Sequence, residues 1–222
     1  MSYDHPDIYP TKEDYMAAFE QFMMQSEDVL REGVDAERFS LAGEVRRKDA
    51  GLAMEAIMKM APEVSEEKIV KILNEFPGVG RRFERIFDGV YTDYAHHPEE
   101  IKATMDVVKD EKRLHGYKGV VVVYQPHQNT RQHEVRDGYR DVFAGADKIF
   151  WLPTYLTREN PELAVITPED FIADLDNSEV AEAAEMDDEL MEKLRKYVAD
   201  GYMVILMTAG PADEKLRRML EN

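Results

Sequence analysis

Two short runs of uninterrupted apolar residues constrain the fold of this chain more than any other feature of its sequence. Residues 119–124 read GVVVVY and residues 202–207 read YMVILM. Neither run alternates apolar with polar side chains, as a strand with one face in water does. Such continuous runs are typical of strands buried on both faces, as in a parallel sheet covered by helices. We therefore predict buried strands at 120–124 and 203–207.

The remainder of residues 88–222 alternates between strand patterns and helix patterns. Repeated strand–helix units indicate a parallel sheet with helices on both faces. We predict an α/β fold: a Rossmann-like three-layer domain with a mainly parallel sheet, preceded by a helical segment. Further strands are predicted at 90–93, 149–152 and 164–166, and helices from Pro98, at 134–143 and at 187–199.

The first 76 residues lack a buried strand run and carry apolar residues at helical spacing. Thr11 and Ser65 suit the N-cap position of two helices. The sequence PGVG that follows Phe76 is typical of a linker. Helices are predicted at 11–32, at 48–60 and from Ser65. The predicted organisation is a helical segment at 1–76, a linker at 77–87 and the α/β domain at 88–222.

The charge and composition of the chain exclude several classes of function. It has 46 acidic against 28 basic residues, a formal net charge of −18, whereas sequence-independent nucleic-acid binding needs a basic surface. No run of 18 apolar residues is present, and the first ten residues lack the pattern of a secretion signal. Without cysteine, thiol chemistry and disulfides are excluded. We predict a cytoplasmic protein with no nucleic-acid or membrane partner.

Polar side chains cluster where two of the predicted strands end. Residues 92–100 read TDYAHHPEE and residues 125–132 read QPHQNTRQ. Each polar residue alone is better explained by helix capping or loop structure. However, ligands of parallel sheets bind at the carboxyl ends of the strands, and an arginine there suits a carboxylate or phosphate. Taking the two strands as neighbours, we predict one pocket formed by Asp93, His97, His127 and Arg131.

A metal site is a competing interpretation of the same residues. Asp93, His96, His97 and His127 are ligand types that suit zinc or iron. Adjacent histidines on an extended segment point apart, however, and the sequence has no His-x-x-x-His pair. A metallohydrolase is therefore the minor alternative. The phosphate-binding loop Gly-x-x-x-x-Gly-Lys-Ser/Thr is absent as well, since no glycine of the chain precedes a lysine.

Four segments of the chain together resemble one known family. They read FPGVGRRFERI (76–86), TDYAHHPEEIKAT (92–104), QPHQNTR (125–131) and VILMTAGPADEKL (204–216). In this order and spacing they are similar to the Mur ligase family, most closely to its members that join L-alanine to UDP-N-acetylmuramate. By this resemblance, residues 1–76 are a remnant of the central domain and residues 88–222 are the C-terminal domain.

The resemblance implies an ATP-dependent reaction in peptidoglycan precursor synthesis. ATP phosphorylates the substrate carboxylate, and the amine of the amino acid then attacks the acyl phosphate to form an amide. The implied cofactors are ATP and Mg²⁺, and no residue of this chain is assigned a catalytic role. The implied ATP-binding residues are Arg82 and Asp93, the substrate-binding residues are His97, His127 and Arg131, and the magnesium ligand is His5.

The chain departs from the family pattern at several positions. The phosphate-binding loop is absent, Gln128 replaces an arginine, Thr92 replaces an aspartate and Thr208 replaces a glycine. These departures predict a ligase piece that is incomplete as a single chain. It is either a truncated form or one half of a split enzyme, whose second chain supplies the phosphate loop and the uridine-nucleotide domain. The alternatives are a catalytically inactive module that binds nucleotide or amino acid, and a related murein peptide ligase.

Overall fold

The structure, a computed structural model, describes residues 8–220 of the chain. These residues form two compact units. Residues 8–40 and 46–75 make up the smaller unit, and residues 41–45 and 76–220 make up the larger one. No helix within residues 8–220 is both long enough and apolar enough to cross a membrane.

The smaller unit is built from helices, and its described residues contain no strand. As predicted, the Thr11 hydroxyl caps the first helix by accepting from Asp14 N at 3.1 Å, and Ser65 caps the third. The first helix ends well before residue 32, where the sequence pattern predicted its end. It buries none of its residues, so no packing extends it through Ser26 and Asp28, which favour helices weakly. The helices are α1 (Lys12–Met24), a 3₁₀ turn (Ala36–Arg38), α2 (Glu44–Met60) and α3 (Glu66–Asn74).

The larger unit contains a six-stranded sheet in the described part of the chain, with the spatial order β1-β2-β6-β3-β4-β5. Every neighbouring pair is parallel except β1 and β2, which form an antiparallel hairpin. The strands are β1 (Glu84–Phe87), β2 (Val90–Asp93), β3 (Val120–Gln125), β4 (Lys148–Trp151), β5 (Ala181–Ala183) and β6 (Met203–Thr208). The helices are α4 (Pro98–His115), α5 (Asn129–Val135), α6 (Pro168–Ile172), α7 (Asp188–Ala199) and α8 (Ala212–Leu220).

Two apolar cores cover the two faces of this sheet. On one face the strands pack against α4, α6 and the segment around Tyr139, and on the other they pack against α7 and α8. The first core centres on Trp151, which is fully buried and stacks on Phe171 with ring centroids 4.9 Å apart. The predicted Rossmann-like three-layer α/β fold is thereby confirmed.

Some predicted elements of the larger unit are wrong. The predicted strand at 164–166 is a loop, because Ala164 and Ile166 bond to the Asn129 side chain instead of to a strand. The predicted helix at 134–143 is instead α5, which ends at Val135, followed by a 3₁₀ turn (Arg136–Tyr139). Gly138 lies in that turn, and glycine in a helix interior is unfavourable.

The expected adjacency of β2 and β3 is also wrong, because β6 lies between them. Val204 pairs with Val90 on one side and with Val121 on the other. The two strands are therefore about 10 Å apart rather than the about 5 Å of direct neighbours. Because all three strands are parallel, their carboxyl ends still meet at one edge of the sheet, and the polar segments 93–97 and 125–131 follow from that edge.

Candidate functional site

Asp93 ends β2 and is held inside the protein by three hydrogen bonds. Its carboxylate accepts from Phe83 N at 2.7 Å, from Ala95 N at 2.8 Å and from Thr104 Oγ1 at 3.1 Å. Burial raises the pKa of this carboxyl, and the three hydrogen bonds oppose that rise. Asp93 thus joins the turn before β1 to α4. Its role as an ATP ligand stays a prediction.

The turn before β1 presents two arginines to the same edge of the sheet. Arg81 and Phe83 both have left-handed backbone conformations, with φ of 58° and 49°. The Arg81 guanidinium donates to the carbonyls of Thr208 and Gly210 at 2.8 and 3.3 Å, so it holds the turn after β6. Its Cζ also lies 4.6 Å from the Tyr94 ring centroid. Arg81 is not among the site residues predicted from the sequence, which include its neighbour Arg82.

Arg82, the predicted ATP ligand, is the outer of the two arginines. Its side chain is exposed, and its Cζ lies 5.5 Å from the Tyr94 ring centroid. Its positive charge lowers the pKa of Asp93 against the larger opposing effect of burial. An exposed guanidinium at the carboxyl edge of a parallel sheet is well placed for a phosphate. ATP binding by Arg82 stays a prediction.

Two residues that depart from the family motif have structural partners. Thr208 Oγ1 donates to Gln125 Oε1 at 2.9 Å and accepts from Gly210 N at 2.8 Å, which ties the end of β6 to the end of β3. Thr92 Oγ1 donates to the buried carboxylate of Asp213 at 2.5 Å. The two hydroxyls therefore stabilise the edge of the sheet instead of leaving a gap there.

The adjacent histidines His96 and His97 point in different directions. His97 Nδ1 caps α4 by accepting from Glu99 N at 3.4 Å. His96 is 9% exposed, and its Nδ1 lies 3.1 Å from Glu100 Oε2. Although burial favours the neutral form of Glu100, the hydrogen bond and charge of His96 lower the pKa of that carboxyl to about 2. The predicted substrate role of His97 stays a prediction.

His96 faces His127 across the edge of the sheet. The two imidazole centroids are 5.6 Å apart, and His127 also lies 5.7 Å from the Tyr155 ring. The sequence pattern indicated His96 only as a possible metal ligand. Within residues 8–220, no group of three or more histidine and carboxylate side chains is arranged to hold a metal ion. The predicted magnesium ligand His5 lies outside the described residues.

His127 is a neutral imidazole at neutral pH. Burial is the main cause that lowers its pKa, to about 4, and the nearby charges of His96, Arg131 and Arg158 act in the same direction. Its Nδ1 is buried and has no hydrogen-bond partner among the described residues. A half-buried, unprotonated ring of this kind can accept a hydrogen bond from a substrate amine.

We expect the NMR titration of the His127 ring to have its midpoint near pH 4. The unfolded chain takes up this proton near pH 6.5, so between about pH 6.5 and 4 it binds more protons than the folded chain. The contribution of His127 to the free energy of unfolding therefore falls as the pH falls through that window. The substitution His127→Gln should remove this part of the pH dependence of urea unfolding. A His127 midpoint above pH 6 would contradict the buried environment described here.

Arg131 and Gln128 lie at the start of α5. Arg131 is 5% exposed, and its positive charge acts on His127. Gln128 has a left-handed backbone, with φ of 66°, and its Nε2 lies 3.5 Å from the carbonyl oxygen of Arg158. Where the family motif has a second arginine, this chain thus has an amide that contacts the backbone of a separate loop.

That loop carries Glu159, which sequence analysis did not identify. The Glu159 carboxylate accepts from the backbone N of Asn129 at 3.0 Å, of Thr130 at 2.9 Å and of Thr157 at 2.8 Å. Although burial favours its neutral form, these bonds lower the pKa of Glu159. Its negative charge therefore occupies the N-terminus of α5 and fixes the helix that bears Arg131. No local pattern reveals a contact between residues about 30 positions apart.

A cavity of about 480 Å³ lies farther along the same edge, beyond β4 and β5. Its charged lining is mostly acidic, and its one lysine, Lys193, is paired with Glu182 and Glu189. This lining does not suit an anionic ligand. The acids that line it are Glu169, Glu185, Asp187 and Glu189.

The sequence profile described as "Mur ligase, glutamate ligase domain" matches residues 81–210. That range includes β2, β3, β4 and β6. It also includes His127 and its neighbours His96, Arg131 and Tyr155.

Two curated relatives and one solved structure are also similar to this chain. The chain is 36% identical over 122 residues to a UDP-N-acetylmuramate–L-alanine ligase of Fusobacterium nucleatum, covering 48% of this chain and 25% of that protein. It is 33% identical over 158 residues to the ligase of the same name from Rickettsia massiliae, covering 66% and 32%. The crystal structure of UDP-N-acetylmuramate–alanine ligase from Thermotoga maritima superimposes with a TM-score of 0.56 at 20% identity, covering 81% and 37%. The chain thus spans about a quarter to a third of the length of the curated relatives it matches.

Proposed function

Because this chain belongs to the Mur ligase family, we propose that it is part of an ATP-dependent ligase that joins L-alanine to UDP-N-acetylmuramate in peptidoglycan precursor synthesis. The curated relatives at 36% and 33% identity carry the name of that reaction. The part of the reaction proposed for this chain is binding and positioning of the amino acid and the nucleotide at the carboxyl edge of the sheet.

The observation that carries this proposal is a neutral imidazole beside a buried guanidinium. The His127 ring, whose pKa is lowered to about 4, is uncharged at neutral pH and can accept a hydrogen bond from the substrate amine. Arg131 supplies positive charge for a carboxylate at the same place. The pair therefore suits a substrate that has an amine and a carboxylate on one small molecule.

The nucleotide end of the proposed site is the turn that bears Arg82. ATP, when bound, supplies the phosphoryl group that converts the substrate carboxylate into an acyl phosphate. The exposed Arg82 guanidinium beside Tyr94 suits a phosphate, and Arg81 holds the neighbouring turn after β6 in place. Magnesium binding by His5 remains part of the proposal and concerns a residue outside the described range.

The chain by itself is proposed to be incomplete as a catalyst. The phosphate-binding loop that stabilises the charge of the β- and γ-phosphates is missing from its 222 residues. We propose that a second chain supplies this loop and the uridine-nucleotide domain. The same missing loop favours the second candidate, a catalytically inactive binding module. An adjacent gene that encodes the loop would support the two-chain enzyme, and a lone gene would support the module.

We expect the isolated chain to bind L-alanine without releasing ADP. Addition of L-alanine should shift the NMR signals of His127 and Arg131, with the peptide L-alanyl-D-glutamate as the comparison ligand for a murein peptide ligase. Incubation with ATP–Mg²⁺, L-alanine and UDP-N-acetylmuramate should give no ADP above the no-protein control. ADP release well above that control would contradict the incomplete-catalyst proposal. Tighter binding of the peptide than of L-alanine would favour the peptide ligase.

A further inference from the structure

A chain of buried hydrogen bonds joins the two segments that carry His96 and His127. It is formed by three side chains, Tyr124, Gln132 and Tyr139, none of which is exposed to solvent. Tyr139 Oη donates to Gln132 Oε1 at 2.7 Å, and the Tyr124 and Tyr139 hydroxyl oxygens lie 2.8 Å apart. Buried polar groups need hydrogen-bond partners, and these three side chains supply them to one another.

The two ends of this buried chain are the backbone carbonyls of the two histidines. Tyr124 Oη donates to His96 O at 3.1 Å, and Tyr139 Oη lies 3.5 Å from the same oxygen. At the other end, Gln132 Nε2 donates to His127 O at 2.9 Å. Because β6 separates β2 from β3, no strand pairing holds the ends of these two strands to each other. The buried chain makes that connection through side chains instead.

The aromatic core fixes the positions of the hydroxyl groups in this chain. The Tyr124 and Tyr139 rings lie 5.0 and 5.5 Å from Trp151, measured between ring centroids. Burial raises the pKa of both tyrosines, so both hydroxyls keep their protons at neutral pH. The Gln132 amide is fixed as well, because reversing it would place its oxygen against the His127 carbonyl oxygen. The buried chain is therefore a rigid support between the two histidine segments.

We propose that this buried chain positions the His96 and His127 imidazoles at the amino-acid end of the site, and that Gln132 is the positioning residue at its His127 end. This inference rests on the proposed function. The two ring centroids are 5.6 Å apart, and each ring belongs to a residue whose carbonyl the chain holds. A hydrogen bond to a substrate amine needs an acceptor within about 3.2 Å. A displaced carbonyl would move its ring out of that range.

The test replaces Gln132 by methionine, which has a similar length but no N–H group to donate to the His127 carbonyl. Tyr139→Phe is the second variant, because it breaks the same chain and keeps the ring in the core. Both variants should weaken the nuclear Overhauser effect between the His96 and His127 rings. They should raise the titration midpoint of His127 by about one pH unit, toward that of an exposed histidine. L-alanine should bind at least about fivefold more weakly.

The titration midpoint of His127 reports the position of its ring, because neither substitution changes a charge. The charged groups that act on this ring are His96, Arg131, Arg158 and Glu159, and all four remain in each variant. A variant that is merely less stable would keep the His127 ring in the same surroundings while folded. Its melting temperature would fall and its titration midpoint would not move.

Tyr91→Phe is the matched control, because it removes a tyrosine hydroxyl from the same apolar core. Tyr91 is 1% exposed and lies near the amino end of β2, and its hydroxyl is 3.1 Å from Glu111 Oε1 and from the Tyr117 hydroxyl. The control should lower the melting temperature about as much as Tyr139→Phe does. It should leave the His127 midpoint and the affinity for L-alanine unchanged.

An unchanged ring contact and an unchanged midpoint in both Gln132→Met and Tyr139→Phe would overturn the inference, whatever their melting temperatures. A shift of the same size in Tyr91→Phe would overturn it too, since the effect would then follow from lost stability alone. Failure of the unaltered chain to bind L-alanine would overturn the proposed function. In that case the ring contact and the midpoint would still decide whether Gln132 positions the two histidines.

Discussion

Replacing Trp151 by alanine should lower the free energy of unfolding by about 3–5 kcal/mol, the range found when a large buried aromatic side chain is removed. Trp151 is fully buried at the end of β4. It stacks on Phe171 and makes edge contacts with Tyr124, Tyr139 and Phe143, with ring centroids 5.0 to 5.8 Å apart. Alanine would leave a cavity among four aromatic rings that cannot all move inward. Urea unfolding followed by circular dichroism measures the loss.

Trp151→Phe is the matched control for this substitution. The indole Nε1 has no hydrogen-bond partner among residues 8–220, so its removal strands no other polar group. The loss should therefore stay below about 2 kcal/mol, since most of the apolar volume is retained. A loss below 1 kcal/mol for Trp151→Ala would mean that the aromatic cluster does not form the main core of that face.

Replacing Asp93 by alanine should lower the free energy of unfolding by about 2–4 kcal/mol. It should also disturb the arginine turn, the residues 81–83 that precede β1. The substitution leaves the buried backbone N–H groups of Phe83 and Ala95 without an acceptor, and an unsatisfied buried donor costs about 1–3 kcal/mol. Phe83 has a left-handed backbone that this bond helps to hold. We therefore expect the NMR signals of Arg81 and Arg82 to broaden or shift. Urea unfolding and a ¹H–¹⁵N spectrum measure the two effects.

Thr104→Val is the control for Asp93, because it removes one of the three hydrogen bonds and keeps the shape of the side chain. It should cost about 1 kcal/mol and leave the arginine turn in place. If Asp93→Ala proved no more harmful than Thr104→Val, the carboxylate would not be the group that holds the turn. That result would favour the predicted contact of Asp93 with ATP over a structural role.

The strands of the larger unit were predictable where their residues are apolar on both faces. The runs in β3 and β6 indicated their strands to within one residue at either end. By contrast, β5 consists of Ala-Glu-Ala and β1 lies in the segment predicted as a linker. Both lie at the edges of the sheet, where burial is incomplete and the sequence pattern is correspondingly weak.

The candidate site was predictable in its location but not in all its members. Parallel topology places the ends of β2 and β3 at one edge, which was sufficient to select His127 and Arg131. The choice between His96 and His97 depends on the start of α4, where one ring caps the helix and the other turns inward. Arg158 and Glu159 contact residues 128–130, which lie about 30 positions earlier in the chain. No short motif encodes a contact at that separation.

The position of β6 has a consequence for the way this protein is made. The strand that joins the β1–β2 hairpin to β3 and β4 is the last of the six in the chain, since Val204 pairs with both Val90 and Val121. During synthesis, the two parts of the sheet therefore cannot join until β6 is available for pairing. Pairing between such distant segments slows folding and leaves strand edges open meanwhile. The sheet should accordingly fold more slowly than one whose neighbouring strands are consecutive in sequence.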